Sequence, residues 1–185
     1  MKSKLMYCAA LVAALLLLVG SALPAAAHPL RDDGKPGATS PVADGSSDQV
    51  QPNSGYKMSQ SAAAASLSSY GITWSSSGGC TNRYNSTCTS FDQINSGTVS
   101  QVETLRRASG CAINITGGTE TGHAGGTYSH WNGYKVDVTH STCVTNYVHN
   151  NFSYIGLRGD GAPMYKSAAG NIYADEGSHW DILYY

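Results

Sequence analysis

Cysteine spacing limits the folds open to this chain more than any other feature. Cys8 lies in an apolar N-terminal stretch, and the other four cysteines fall between residues 80 and 143. An even number of cysteines in an exported chain predicts disulfide bonds. Three pairings are possible. We favour Cys80–Cys88, which closes a short loop, with Cys111–Cys143, which ties the ends of the central region. A structural zinc held by four thiolates is the rival, but no Cys-x-x-Cys pair is present.

The N-terminus predicts export. Lys2 and Lys4 precede an apolar stretch from Ala9 to Val19, and Ala25-Ala26-Ala27 offers small residues for cleavage. This pattern is typical of a secretory signal peptide over residues 1–27. A membrane-spanning helix needs about 20 residues, and this apolar stretch is shorter. A retained N-terminal anchor is the alternative. We therefore expect a secreted, extracellular monomer with no membrane attachment once the signal is removed.

Charge disfavours a nucleic-acid partner. Without Lys2 and Lys4, nine basic residues stand against twelve acidic ones, which gives a net charge of −3. Nucleic-acid-binding proteins carry basic patches, whereas Arg106-Arg107 is the longest basic run here. We predict no nucleic-acid partner.

Composition divides the rest of the chain in two. Residues 28–61 are rich in Asp, Gly, Ser, Pro and Gln, which predicts a disordered lead, with a linker or a propeptide as alternatives. Residues 62–185 contain periodic apolar segments and suffice for one domain. The patterns predict helices over 62–70, 98–109 and 142–152, a hairpin over 163–174, and strands over 111–116, 134–139 and 180–185. Thr98 with Gln101 suggests a capping box. Helices that come early and strands that come later indicate the α+β class.

Two short fragments carry the chemistry. Ser129–Val138 contains His130 and Asp137 with Gly133 between them, and Asp175–Asp181 contains Glu176 and His179. Two imidazoles, one carboxylate ligand and one spare carboxylate make up a catalytic zinc site with a position left for water. We predict one Zn²⁺ held by His130, Asp137 and His179, with Glu176 as the base.

The spacing of the first fragment requires a break. Residues seven apart on a straight strand face opposite sides. His130 and Asp137 can meet only if His130 lies on a loop and the strand begins near Tyr134, which Gly133 permits. Asp137 then shares its face with Lys135, while Val136 is buried on the other.

The two fragments resemble the signatures of a known family. Ser129-His130-x-x-Gly133-x-x-x-Asp137 and Glu176-x-x-His179-Trp180 are similar to those of the zinc D-alanyl-D-alanine carboxypeptidases, which share a fold with the hedgehog signalling domain. The resemblance covers about residues 62–185. It implies a small antiparallel sheet with helices packed on one side, a cell-wall peptide substrate and a peptidase reaction. It implies the same zinc ligands, His130, Asp137 and His179, and the same base, Glu176.

The chain departs from this family in places that affect substrate binding. Lys135 stands where the family has Ala, and the upstream loop holds Glu120 and His123 but no arginine. We expect Glu120, His123 and Lys135 to face the substrate, with Lys135 in place of the arginine. Trp180 either walls the cleft or packs in the core.

Three functions follow from these features. The first is a secreted zinc peptidase, either a carboxypeptidase or an endopeptidase, acting on peptidoglycan stem peptides. The second is a non-catalytic binding protein that keeps the fold and the zinc. The third is a disulfide-stapled secreted factor without a metal.

Overall fold

The computed structural model describes residues 54–185. The predicted signal peptide and residues 28–53 of the predicted lead lie outside the described residues. Residues 54–61, also predicted as lead, belong to the folded domain. Lys57–Met58 (β1) pairs with Ile94–Asn95 (β3), and the Ser59 hydroxyl accepts the Ala62 N–H to cap the first helix. The domain therefore begins before residue 62.

Helices and strands are mixed along the described residues. The helices are α1 Gln60–Ser69, α2 Ser96–Ser109 and α3 Thr142–Asn151. The remaining strands are β2 Thr73–Trp74, β4 Asn114–Gly117, β5 Lys135–Thr139, β6 Ser153–Leu157, β7 Pro163–Lys166, β8 Ile172–Asp175 and β9 His179–Leu183. Besides the β1–β3 pair, a seven-stranded sheet has the order β2-β4-β5-β9-β8-β7-β6. The combination of helices and sheet confirms the coarse class. The sheet is larger than predicted, and it is not wholly antiparallel, because β2 and β4 run parallel.

Helix α2 packs as its spacing predicts, but it begins differently. Its apolar face is buried through Val99, Val102 and Leu105, and it ends at Gly110 in the left-handed conformation with φ of 68°. The predicted capping box is wrong, because Asn95 is the N-cap residue and makes no side-chain cap. The Thr98 hydroxyl instead donates to the Gly133 carbonyl oxygen at 2.8 Å. This bond ties the helix to the loop that carries His130.

Strands β5 and β9 lie side by side in the middle of the sheet and separate the core from a polar face. Val136, Val138, Trp180 and Ile182 are fully buried in one cluster with apolar side chains of all three helices. Side chains alternate along a strand, so Asp137 and its alternate neighbours face the other way. Trp180 therefore belongs to the core, and its predicted place in a substrate cleft is corrected, because a fully buried ring offers a substrate no surface.

Both predicted disulfides form. The Cα atoms of Cys80 and Cys88 are 4.7 Å apart, and those of Cys111 and Cys143 are 5.7 Å apart. The second bond joins the chain after α2 to the first turn of α3. No helix within residues 54–185 combines the length and the apolar character needed to cross a bilayer.

Candidate metal and catalytic site

A cavity of about 460 Å³ opens on the polar face of β5 and β9. Besides these two strands, its walls come from the loop before β5, the β6–β7 turn and the β8–β9 turn. Its ionisable lining residues are His123, His130, Lys135, Asp137, Arg158, Asp160, Glu176, His179 and Asp181. All four residues of the predicted zinc site thus line one cavity.

Asp137 lies at the centre of this group. Its Oδ1 atom is 3.3 Å from His130 Nε2 and 3.6 Å from His179 Nε2. His179 Nε2 is also 3.2 Å from Glu176 Oε2. Asp137 therefore lies close to both predicted histidine ligands, and His179 lies close to the predicted base, although these residues come from two fragments far apart in sequence.

Backbone register explains this convergence. In the antiparallel β5–β9 pair, Asp137 stands opposite Asp181, and Thr139 stands opposite His179. His130 lies on a turn before β5, which Gly133 closes with φ of 76°. A Cβ on Gly133 would come within 2.6 Å of a backbone oxygen, so this turn requires glycine. The turn releases His130 from strand alternation and lets it face the same cavity as Asp137.

Both imidazoles direct Nε2 towards Asp137. His130 Nδ1 is 2.8 Å from the Gly118 carbonyl oxygen, to which it donates. His179 Nδ1 is hydrogen-bonded to the Ser178 hydroxyl at 2.9 Å. Metal-binding histidines are commonly oriented in this way by a partner on their second nitrogen.

Two buried carboxylate oxygens have no hydrogen-bond partner among the described residues. They are Oδ1 of Asp137 and Oδ1 of Asp181, and both approach His130 Nε2, at 3.3 and 3.5 Å. A buried charged oxygen without a partner is costly, so the arrangement favours a positive charge between these groups.

The same contacts shift pKa values. Burial alone would lower the pKa of His130, but Asp137 and Asp181 outweigh it and raise the pKa to about 9. Burial alone would raise the pKa of Asp181, yet His130 and Lys135 hold it well below its usual range. Without a metal, the site therefore favours a protonated His130 beside an ionised Asp181.

His123 forms a second part of the site. Its Nδ1 is 3.6 Å from Asp137 Oδ2, and its Nε2 is 3.1 Å from Oε1 of the buried Glu120. Glu120 accepts backbone N–H groups of Ser90 and Gly118. Ligand atoms of His123, His130 and Asp137 all lie within 4.8 Å of one another, so these three residues could hold a metal ion.

Two cations complete the lining. Lys135 Nζ and Arg158 NH1 both donate to Asp181 Oδ2, at 2.8 and 2.7 Å. Arg158 also pairs with Glu176 and Asp160. Lys135 was predicted to face the cavity, whereas Arg158 and Asp181 were missed.

The sequence held an indication for only one of the two missed residues. Asp181 lies two positions after His179, and alternation on a strand would have placed both on one face. Arg158 follows β6, a mostly exposed strand whose residues show no apolar alternation to predict it.

Comparisons with protein-family models, with curated proteins and with solved structures found no match for this chain. Function is therefore inferred from the chemistry of the cavity and from the two sequence fragments.

Proposed function

We propose that this protein is a secreted zinc-dependent peptidase that hydrolyses peptide bonds of peptidoglycan stem peptides. The observation that carries the proposal is the environment of Asp137 Oδ1. This buried oxygen accepts no hydrogen bond from a described residue, and two imidazole nitrogens lie 3.3 and 3.6 Å from it. A tetrahedral zinc with ligand distances of about 2.0–2.1 Å separates its ligand atoms by about 3.3–3.4 Å. The spacing around Asp137 is close to this value.

Ring orientation favours His179 over His123 as the third ligand. The rings of His123 and His130 are stacked, with centroids 3.8 Å apart and planes 15° from parallel. The lone pair of an imidazole nitrogen lies in the ring plane. An ion bound to both stacked rings would lie between the planes, away from both lone pairs. We therefore assign His130, Asp137 and His179 as ligands.

The donor set suits zinc, which accepts imidazole nitrogen and carboxylate oxygen. A zinc ion held there would polarise a substrate carbonyl and lower the pKa of water towards about 7. Glu176 Oε2 faces the cavity beside His179 Nε2, in a position to take a proton from water and return it to the leaving amine. Arg158 holds the other Glu176 oxygen and so fixes the direction of the carboxylate.

Substrate class follows from the resemblance and from the cavity. The two fragments resemble those of peptidases that act on cell-wall peptides. The cavity is open to solvent and presents both cations and carboxylates, which suits a short polar peptide.

Peptide release from purified muropeptides tests the proposal. The zinc-loaded protein should release peptides or amino acids, and a chelator should stop the release. Glu176→Gln should bind one zinc per chain as the wild type does, yet lose at least a hundredfold in rate. Absence of release from every muropeptide tested, by protein that carries one zinc, would refute the peptidase.

A non-catalytic binding protein is the second candidate. The ion pair of Arg158 with Glu176 favours it, because the guanidinium already occupies one of the two carboxylate oxygens that a base presents to water. In that case Glu176→Gln should leave biological activity unchanged, while His130→Ala should remove both zinc and activity. A chain that binds no zinc in elemental analysis would instead be the metal-free, disulfide-stapled factor.

A further inference from the structure

We propose that Asp181 belongs to the metal site, with its Oδ1 atom directed at the bound ion as a further oxygen donor. The inference rests on the proposed function, since it requires the ion. It adds a residue to which neither of the two sequence fragments gave a role.

Strand register places Asp181 where a second carboxylate is costly. Asp181 and Asp137 stand directly opposite each other on β9 and β5. Their exposed fractions are only 7% and 6%. Like charges directly opposite on neighbouring strands are destabilising, and burial increases the cost. Two such carboxylates are tolerable when a cation lies close to both.

The two oxygens of Asp181 have different surroundings. Oδ2 accepts hydrogen bonds from Lys135 Nζ at 2.8 Å and from Arg158 NH1 at 2.7 Å. Oδ1 is buried, accepts no hydrogen bond from a described residue, and lies 3.5 Å from His130 Nε2. A purely structural ion pair accounts for Oδ2 but leaves Oδ1 unexplained.

Protonation of His130 alone does not satisfy these oxygens. Its Nδ1 already bonds to the Gly118 carbonyl, so only Nε2 faces the two carboxylates. One N–H cannot fully satisfy both Asp137 Oδ1 and Asp181 Oδ1, which lie 3.3 and 3.5 Å from it. A divalent ion beside Nε2 would compensate both oxygens at once.

Lys135 and Arg158 weaken Asp181 Oδ1 as a metal donor. A second anionic ligand lowers the Lewis acidity of zinc, which catalysis needs. Two cations on Oδ2 draw charge away from Oδ1, so Asp181 would be a weak, readily displaced donor that leaves a position at the ion for water or substrate. This gives Lys135 a role in the metal site in addition to its predicted contact with substrate.

Metal binding by three forms of the full chain tests this inference: wild type, Asp181→Asn and Asp160→Asn. The control is matched, because Asp160 also pairs with Arg158, but its side chain is 55% exposed and it makes no contact with His130. Zinc affinity is measured by competition with a chromophoric chelator, and coordination by the visible spectrum of the cobalt(II)-loaded protein. We expect Asp181→Asn to lower zinc affinity by about 10- to 100-fold and to change the cobalt spectrum. Asp160→Asn should change neither.

The possible outcomes distinguish this inference from the proposed function on which it rests. Wild-type protein that binds neither zinc nor cobalt overturns both. Wild-type binding with unchanged affinity and spectrum in Asp181→Asn overturns only the role of Asp181, which then pairs with Lys135 and Arg158 alone. If Asp181→Asn does not fold, Asp181→Glu keeps the charge and moves the oxygen, so the cobalt spectrum should still change. An unchanged spectrum in that variant also refutes the proposal.

Discussion

The metal-free protein should lose stability as pH rises through the range in which His130 gives up its proton. His130 is 4% exposed, and Asp137 and Asp181 raise its pKa to about 9 in the folded chain. The ordinary value, which applies to the unfolded chain, is about 6.5. A tenfold difference in proton affinity is worth about 1.4 kcal/mol, so this gap corresponds to about 3 kcal/mol of folding free energy.

The sign of the effect follows from proton linkage. A raised folded pKa means that the folded state binds the proton more tightly, so the stabilisation is fully present below about pH 6.5. It is lost progressively as pH rises through about 9. The pKa of Asp181 is shifted downwards, so its contribution is present above about pH 4 and is lost as pH falls through its lower folded value. Stability from this group of charges should therefore be greatest between about pH 4 and 6.5.

Urea unfolding followed by tryptophan fluorescence, with a chelator present, measures the effect. Wild-type protein should be about 3 kcal/mol less stable at pH 9.5 than at pH 6 through this linkage. In His130→Gln, this part of the stability difference between the two pH values should be absent. His140→Gln is the control, because His140 pairs with Asp175 and contacts neither Asp137 nor Asp181. If wild type and His130→Gln show the same pH dependence, the carboxylates do not stabilise a protonated His130 and the reasoning fails.

Three further predictions concern metal binding and the framework. Zinc affinity should rise between pH 6.5 and 9, because zinc must displace the proton of His130. If the affinity, corrected for the pH dependence of the competing chelator, does not change with pH, this prediction is wrong. Gly118→Ala should destabilise the fold and weaken zinc binding, because the added Cβ would lie 2.0 Å from a backbone oxygen. Gly125→Ala is the control: a Cβ there meets nothing within 4 Å, so this variant should unfold at the same urea concentration as the wild type. Replacing Cys111 and Cys143 by serine should lower the free energy of unfolding in urea by about 3–4 kcal/mol, since their bond closes a loop with a sequence separation of 32. A decrease below about 1 kcal/mol would mean that the bond does not restrain the unfolded chain.

Local signals in the sequence were sufficient for several elements. Apolar spacing predicted the buried face of α2, and Gly110 predicted its end, because both depend on residues within one turn of each other. Loop length and the even cysteine count favoured the pairing that the structure has. The capping box failed because the Thr98 hydroxyl bonds to Gly133 in a distant loop, a contact that no local rule contains.

What the sequence by itself determined was the supply of chemical groups: two fragments with the residue types of a zinc site, and a glycine that frees His130 from strand alternation. Only the tertiary structure decided which groups meet. The β5–β9 register sets Asp181 opposite Asp137, and the end of β6 brings Arg158 to both Asp181 and Glu176. Register is decided by burial of one face of the whole sheet, and a shift of one residue would turn every side chain to the other face. For the same physical reason, Trp180 lies in the core although it is a chain neighbour of His179 and Asp181.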